Sequence, residues 1–201
     1  MSLQKKCPRC KSFRCSGADV PWLANKTSKC YPLKNTQHLK LILEDNGAPA
    51  TYEEYLLYSK IIQQNYIVAQ RSIGGISWPI ESYSIFDFLL KNIHYTLFER
   101  AGLKFYGEYR TSDIWVDSGK HEFKGVSPGE INSRLHGLWE VIDGRLEPNS
   151  RQEAIRTIGD FLIELFAIHP FRDGNGRTGR IFAWLIGYKS NFLVNFSPAR
   201  S

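Results

Sequence analysis

Residues 169–180 read HPFRDGNGRTGR, a run of twelve with one histidine, one aspartate, three glycines and three arginines. Just before it, Ile158, Phe161, Leu162, Leu165 and Phe166 recur at i, i+3, i+4, i+7 and i+8. That spacing predicts an amphipathic helix from Glu153 to Ile168. Just after it, Ile181, Phe182, Trp184, Leu185 and Tyr188 mark a second apolar helix. The charged run is therefore expected as a loop between two buried helices, with Phe171 turned down into the core.

The loop's residue types point to phosphate chemistry. Gly174-Asn175-Gly176 at a helix start can turn successive backbone N–H groups toward an anion, and the helix N-terminus adds partial positive charge. Arg177 and Arg180 lie three apart and project to one side of the first turn, where guanidinium forks match phosphate oxygens. Asp173 would repel phosphates unless a divalent cation lay between, and Mg²⁺ held by one carboxylate plus phosphate oxygens fits that need. His169, at the other edge, is placed to take a proton from an attacking hydroxyl. No Gly-x-x-x-x-Gly-Lys-[Ser/Thr] run is present, so this is not a P-loop. Together these residues imply transfer of a phosphate-containing group from a nucleotide to a hydroxyl.

Upstream, Tyr55, Leu56, Ser59, Ile62, Tyr66 and Ala69 fall mostly on one stripe of a helix that starts near Tyr52 and is ended by Gly74-Gly75 and Pro79. A second helix carries Ile85, Phe88, Leu89, Asn92, Ile93, Thr96 and Leu97 inward and closes near Gly102. Ile114-Trp115-Val116, turn residues Asp117-Ser118-Gly119, and His121-Glu122-Phe123 read as a short hairpin. Ser127-Pro128-Gly129-Glu130 then opens a helix with Ile131, Leu135, Leu138, Trp139 and Ile142 on its buried side. The fold expected is mainly α with one small β-hairpin.

Of 201 residues, 42% are hydrophobic and 23% charged, which is globular composition. The net charge of +6 suits a polyanionic ligand but is too diffuse for a protein that wraps nucleic acid. No apolar run reaches membrane-spanning length and no secretory leader pattern opens the chain, so the expected location is cytoplasmic. All four cysteines, Cys7, Cys10, Cys15 and Cys30, fall in the first thirty residues. Cys7-Pro-Arg-Cys10 is half of a Zn²⁺ knuckle whose second Cys-x-x-Cys is missing, with Cys15, Cys30 and His38 as candidate further ligands; free thiols are preferred over this site, and disulfides come last in a reducing compartment. Residues 1–50 are accordingly set apart as a cysteine-containing irregular segment, and 51–201 as one domain.

The motif resembles the signature of the Fic (filamentation induced by cAMP) family, His-x-Phe-x-[Asp/Glu]-[Gly/Ala]-Asn-[Gly/Lys]-Arg-x-x-Arg. His169, Phe171, Asp173, Gly174, Asn175, Gly176, Arg177 and Arg180 match every fixed position. Gly107-Glu108-Tyr109-Arg110, leading into the hairpin, looks like the family's flap, which extends the likeness over residues 52–195. The resemblance implies a Fic-type helical bundle that transfers AMP from ATP to a Tyr, Thr or Ser hydroxyl of a target protein docked on the flap, residues 110–123. By position it makes His169 the general base, Asp173 the Mg²⁺ ligand, Gly174, Asn175 and Gly176 the phosphate cradle, and Arg177 and Arg180 the phosphate contacts. Alternatives are a Fic-type enzyme with another nucleotide donor, a Doc-like protein kinase, and a non-catalytic binding module. Gly176, where Doc carries lysine, favours adenylylation. The run most similar to the family's inhibitory [Ser/Thr]-x-x-x-Glu-[Gly/Asn] helix is Gln70-Arg-Ser-Ile-Gly-Gly75, with Gly74 in the glutamate's place, so Arg180 is expected to be free of an inhibitory carboxylate.

Overall fold

The computed structural model describes residues 52–99, 106–117, 122–194 and 196. The four cysteines, His38, Gly102, Ser118, Gly119 and His121 lie outside them. Five helices and one hairpin make up the described part: α1 (Tyr52–Gly74), α2 (Tyr83–Phe98), β1 (Trp115–Asp117), β2 (Glu122–Lys124), α3 (Ile131–Ile142), α4 (Arg151–Ile168) and α5 (Asn175–Lys189). Among the described residues no helix is long and apolar enough to cross a membrane.

Helix ends follow local chemistry. Ser82, in extended conformation, accepts from the Ile85 N–H and starts α2. Ser127 and Glu130 form a reciprocal capping box on the short 3₁₀ turn Pro128–Glu130 that leads into α3. Ser150 accepts from Glu153 N–H at 3.2 Å, while the Glu153 carboxylate takes the Asn149 N–H at 2.8 Å, and α4 begins there. At the far end of the bundle the Lys189 ammonium donates to the Ile76 carbonyl at 2.6 Å, fastening the end of α5 to the turn after α1.

All five core positions expected on α3 are buried. The stripe of α2 is rotated from expectation: Phe86, Leu89, Leu90, Ile93, His94, Leu97 and Phe98 are buried, whereas Ile85 is 39% and Phe88 62% exposed. The reason is the aromatic centre. Phe86 packs edge-on to Phe182 at 5.3 Å and against Trp139 at 5.5 Å, and Phe161 stacks on Phe182 at 4.7 Å. Turning Phe86 inward carries Ile85 and Phe88 out. On α4, Phe161 and Leu165 are buried as expected, joined by Ala154, Thr157 and Ile168; Ile158 and Leu162 are half-buried at the rim. Tyr188 on α5, expected inside, is 53% exposed and lies on the Trp184 ring. The described side chains of α1 start at Lys60, so Tyr55, Leu56 and Ser59 fall outside them; Ile62 and Ala69 are buried and Tyr66 is half-buried.

Strands β1 and β2 pair antiparallel with Trp115 opposite Lys124, Val116 opposite Phe123 and Asp117 opposite Glu122. The expected hairpin is present, one residue further along at each strand. Gly179 lets α4 and α5 come together, since a Cβ there would sit 3.0–3.1 Å from Leu165, Phe166 and Leu162. Because Phe161 joins α4 to both α2 and α5, Phe161→Ala is expected to lower unfolding stability by about 3–5 kcal/mol. Urea unfolding followed by circular dichroism would measure it.

Candidate active site

Helix α4 ends on His169, which sits in the left-handed region at φ 51° and ψ 60°, its N–H donating to the Leu165 carbonyl at 2.9 Å. A residue other than glycine is infrequent there and costs about 1–2 kcal/mol of backbone strain. Arg110, from the flap lead, meets this corner. Its Nε donates to the His169 carbonyl at 2.7 Å and its main-chain N–H to the Pro170 carbonyl at 2.9 Å. The His169 imidazole bonds through Nδ1 with the Phe166 carbonyl at 3.4 Å. A carbonyl can only accept, so Nδ1 carries the proton and Nε2 keeps a free lone pair. The edge of the Phe123 ring, from β2, lies 6.2 Å away. Burial pulls the His169 pKa below its ordinary value and the Arg110 charge adds to this, against the Phe166 carbonyl and Asp173.

The loop is closed from within. Asn175 Nδ2 donates to the Phe171 carbonyl at 2.7 Å, and its Oδ1 takes the Phe171 N–H at 2.9 Å. Phe171 is fully buried, as expected. Gly174, at φ 77°, caps α5, and a Cβ there would run into the Phe98 ring. His94 holds the outer wall. Gly107 donates its N–H to Nδ1 at 2.9 Å, which leaves Nε2–H to donate to the Asp173 carbonyl at 3.0 Å. The ring lies flat on Phe171 at 4.0 Å and 6°.

Helix α5 starts with the N–H groups of Asn175, Gly176 and Arg177, ahead of the first intrahelical bond from Thr178 N–H to the Gly174 carbonyl. Arg177 pairs with Asp173 at 2.9 Å and covers the Phe98 ring at 4.8 Å. Arg180 folds back over Gly176, where a Cβ would lie 3.4 Å from Nη1, and it also meets the Tyr66 hydroxyl of α1. Burial raises the Tyr66 pKa, with Arg180 opposing. Gly74 does not stand over Arg180: it packs beside Trp184 and Tyr188, further along α5, and Tyr66 occupies the place facing the arginine.

The structure thus brings His169, Asp173, Gly174, Gly176, Arg177 and Arg180 to one loop and one helical turn. Asn175 is there too, with its side chain turned inward and its main-chain N–H at the helix start. The sequence reading missed His94 and Phe98, and it named Tyr66 and Arg110 only as parts of a helix stripe and of the flap lead, without a place in the site. For His94 a signal existed: it sits at i+4 from Leu90 and i−4 from Phe98, on an otherwise apolar stripe.

Burial drives the His94 pKa from 6.5 down to about 4, with Arg177 adding to this and the Asp173 carbonyl and carboxylate opposing it. The unfolded chain therefore takes up this proton first. Stability is complete above pH 6.5 and is lost as pH falls from there toward 4, by up to about 3 kcal/mol from this group. Urea unfolding at a series of pH values is expected to show that slope, and His94→Gln is expected to flatten it.

Residues 87–186 match the model of the Fic/DOC family. Over 111 residues the chain is 29% identical to the protein adenylyltransferase VbhT of Bartonella schoenbuchensis, covering 53% of this chain and 22% of that protein. Over 81 residues it is 38% identical to the ribonucleoside-diphosphate reductase small chain of Ostreid herpesvirus 1, covering 36% of this chain and 14% of that one. The chain spans well under a third of either curated relative, and their names describe the whole proteins. Among solved structures, the BepC protein of Bartonella tribocorum, a VirB-translocated effector crystallised with bound AMPPNP, matches with a TM-score of 0.58 at 21% identity. That match covers 75% of this chain and 74% of BepC, and at this identity the likeness is one of fold. By the match over residues 87–186, which takes in the whole motif, this chain belongs to the Fic/DOC family.

Proposed function

We propose that the chain is a protein adenylyltransferase that moves AMP from ATP to a Tyr, Thr or Ser hydroxyl of a target protein. One observation carries this reading: a histidine with a free Nε2 lone pair and a glycine-started helix N-terminus with two arginines stand at opposite ends of a six-residue loop, 169–174. The helix start and the arginines suit the phosphates, and the histidine suits the incoming hydroxyl. The nucleotide bound to BepC and the name of VbhT agree with it.

In this mechanism the main-chain N–H groups of Asn175 and Gly176 receive phosphate oxygens, and Arg177 and Arg180 neutralise the β- and γ-phosphates. His169 Nε2 takes the proton of the acceptor hydroxyl. That oxygen forms a bond to the α-phosphorus while the bridging bond to the β-phosphate breaks, and pyrophosphate leaves. The loop offers one carboxylate, Asp173, beside the start of α5, and Mg²⁺ is a cation that takes one carboxylate with phosphate oxygens and water. Asp173 would hold it, and its charge would offset that of the phosphates. The acceptor segment is proposed to add to the hairpin edge near Ile114–Val116, main chain to main chain, within flap residues 110–123.

Incubating the chain and a lysate with ATP labelled at the α- or the γ-phosphate tests the reading. Transfer of the α label alone supports adenylylation; transfer of the γ label would make it a kinase, and labelling from UTP or GTP alone would change the donor. His169→Ala is expected to cut transfer by about 10²-fold or more with nucleotide binding retained. Since the free base is the active form and its pKa is lowered, kcat/KM should be flat through neutral pH and fall on an acid limb centred below 6.5.

A further inference from the structure

Arg110 is a cationic side chain just 6% exposed, and the mechanism above gives it no contact with nucleotide or acceptor. Burying a guanidinium costs several kcal/mol unless its donors are matched. Here four of its five N–H donors are matched by main-chain carbonyls from two parts of the chain. On the flap side, Nη1 donates to Ser112 at 2.8 Å and Nη2 to Val126. On the motif side, Nε donates to His169 at 2.7 Å and Nη2 to Ile168 at 3.2 Å. The last two carbonyls are at the C-terminus of α4, the negative end of the helix dipole, where a cation is favoured. Gly125 leaves room for the fork: a Cβ there would lie 2.9 Å from Arg110 Nη2 and 3.3 Å from the His169 Cβ.

We propose that Arg110 is the positioning residue of His169: braced on the flap, it grips the carbonyls of Ile168 and His169 and so sets the left-handed turn from which the imidazole projects. This rests on the reading of His169 as the base. The planar fork is what the geometry uses, and lysine, with its three donors on one nitrogen, does not reproduce the spacing of Nε, Nη1 and Nη2. The charge has a separate effect. The groups facing His169 are Arg110 from the flap lead, Asp173 from the loop, the Phe166 carbonyl from α4 and the neutral Phe123 ring from β2. Arg110 disfavours the imidazolium and Asp173 favours it, so losing the Arg110 charge should raise the His169 pKa.

The test uses the full chain with Arg110→Lys and Arg110→Gln, read by ATP affinity in calorimetry, kcat for AMP transfer, and the His169 imidazole titration in NMR. The lysine variant is expected to keep the His169 midpoint while kcat falls about tenfold, because charge remains and the fork is lost. The glutamine variant is expected to raise the midpoint and lower kcat about 10²-fold, the scale of a misplaced catalytic group, with ATP affinity within about twofold of the parent. A folded glutamine variant with parental midpoint and kcat overturns the proposal. Should that variant not fold, the parent chain decides: the Arg110 Nε–H should exchange with water far more slowly than an exposed arginine, and exchange at the exposed rate overturns the clamp. If the parent transfers no nucleotide, the proposed function fails, while the titration and exchange still judge Arg110.

Discussion

A helix that stops inside a protein leaves carbonyls that no further turn will bond, and at the end of α4 those groups are met by a side chain 58 and 59 residues earlier in the chain. Arg110 takes the carbonyls of Ile168 and His169, and the same guanidinium holds Ser112 and Val126. The flap and the motif loop are thereby one piece. His94 makes the second join, from the Gly107 N–H to the Asp173 carbonyl, so each end of the loop is tied to the segment that leads into the hairpin. Any shift of the hairpin must pull on both joins.

Charge in the site follows from these joins. Two arginines reach the start of α5, where the helix dipole already favours an anion, and Asp173 is paired with one of them. Arg180 rests against a phenol on α1. Arg177 is thus held by a carboxylate and Arg180 by a hydroxyl. His169 is half-buried and His94 fully buried, and their ring nitrogens are used in opposite ways. One leaves a ring nitrogen unprotonated and unbonded, and the other has both nitrogens committed to main-chain groups.

Periodicity revealed the helices because they are amphipathic, and it was most accurate on α3, where a polar face leaves one way to turn. On α2 it was off by a rotation, because Phe86 and Phe88 are both good core residues and three other aromatics, on α3, α4 and α5, decide between them. The motif's residues were legible as a group since their chemistry is local. Arg110 and His94 were not, because their partners lie up to 79 residues away and no local pattern encodes such a bond. Gly107 to Arg110 was read as a flap lead, but nothing in four letters says that the arginine turns inward. The facing of Arg180 by Tyr66 belongs to the packing of α1 on α5, which sequence spacing does not report.

Asn175 commits its side chain to both polar groups of Phe171. The turn is therefore shaped by residues that do not react, and it would persist with an inert side chain at 169, where the imidazole contributes one long bond to a carbonyl. Under the proposed role of His169, kinship and competence are recorded in different letters of the same motif. A descendant of this chain that lost its histidine would still be recognised by its pattern and would still fold the loop. Ancestry could be read from Phe171, Gly174 and Asn175 long after the chemistry had gone.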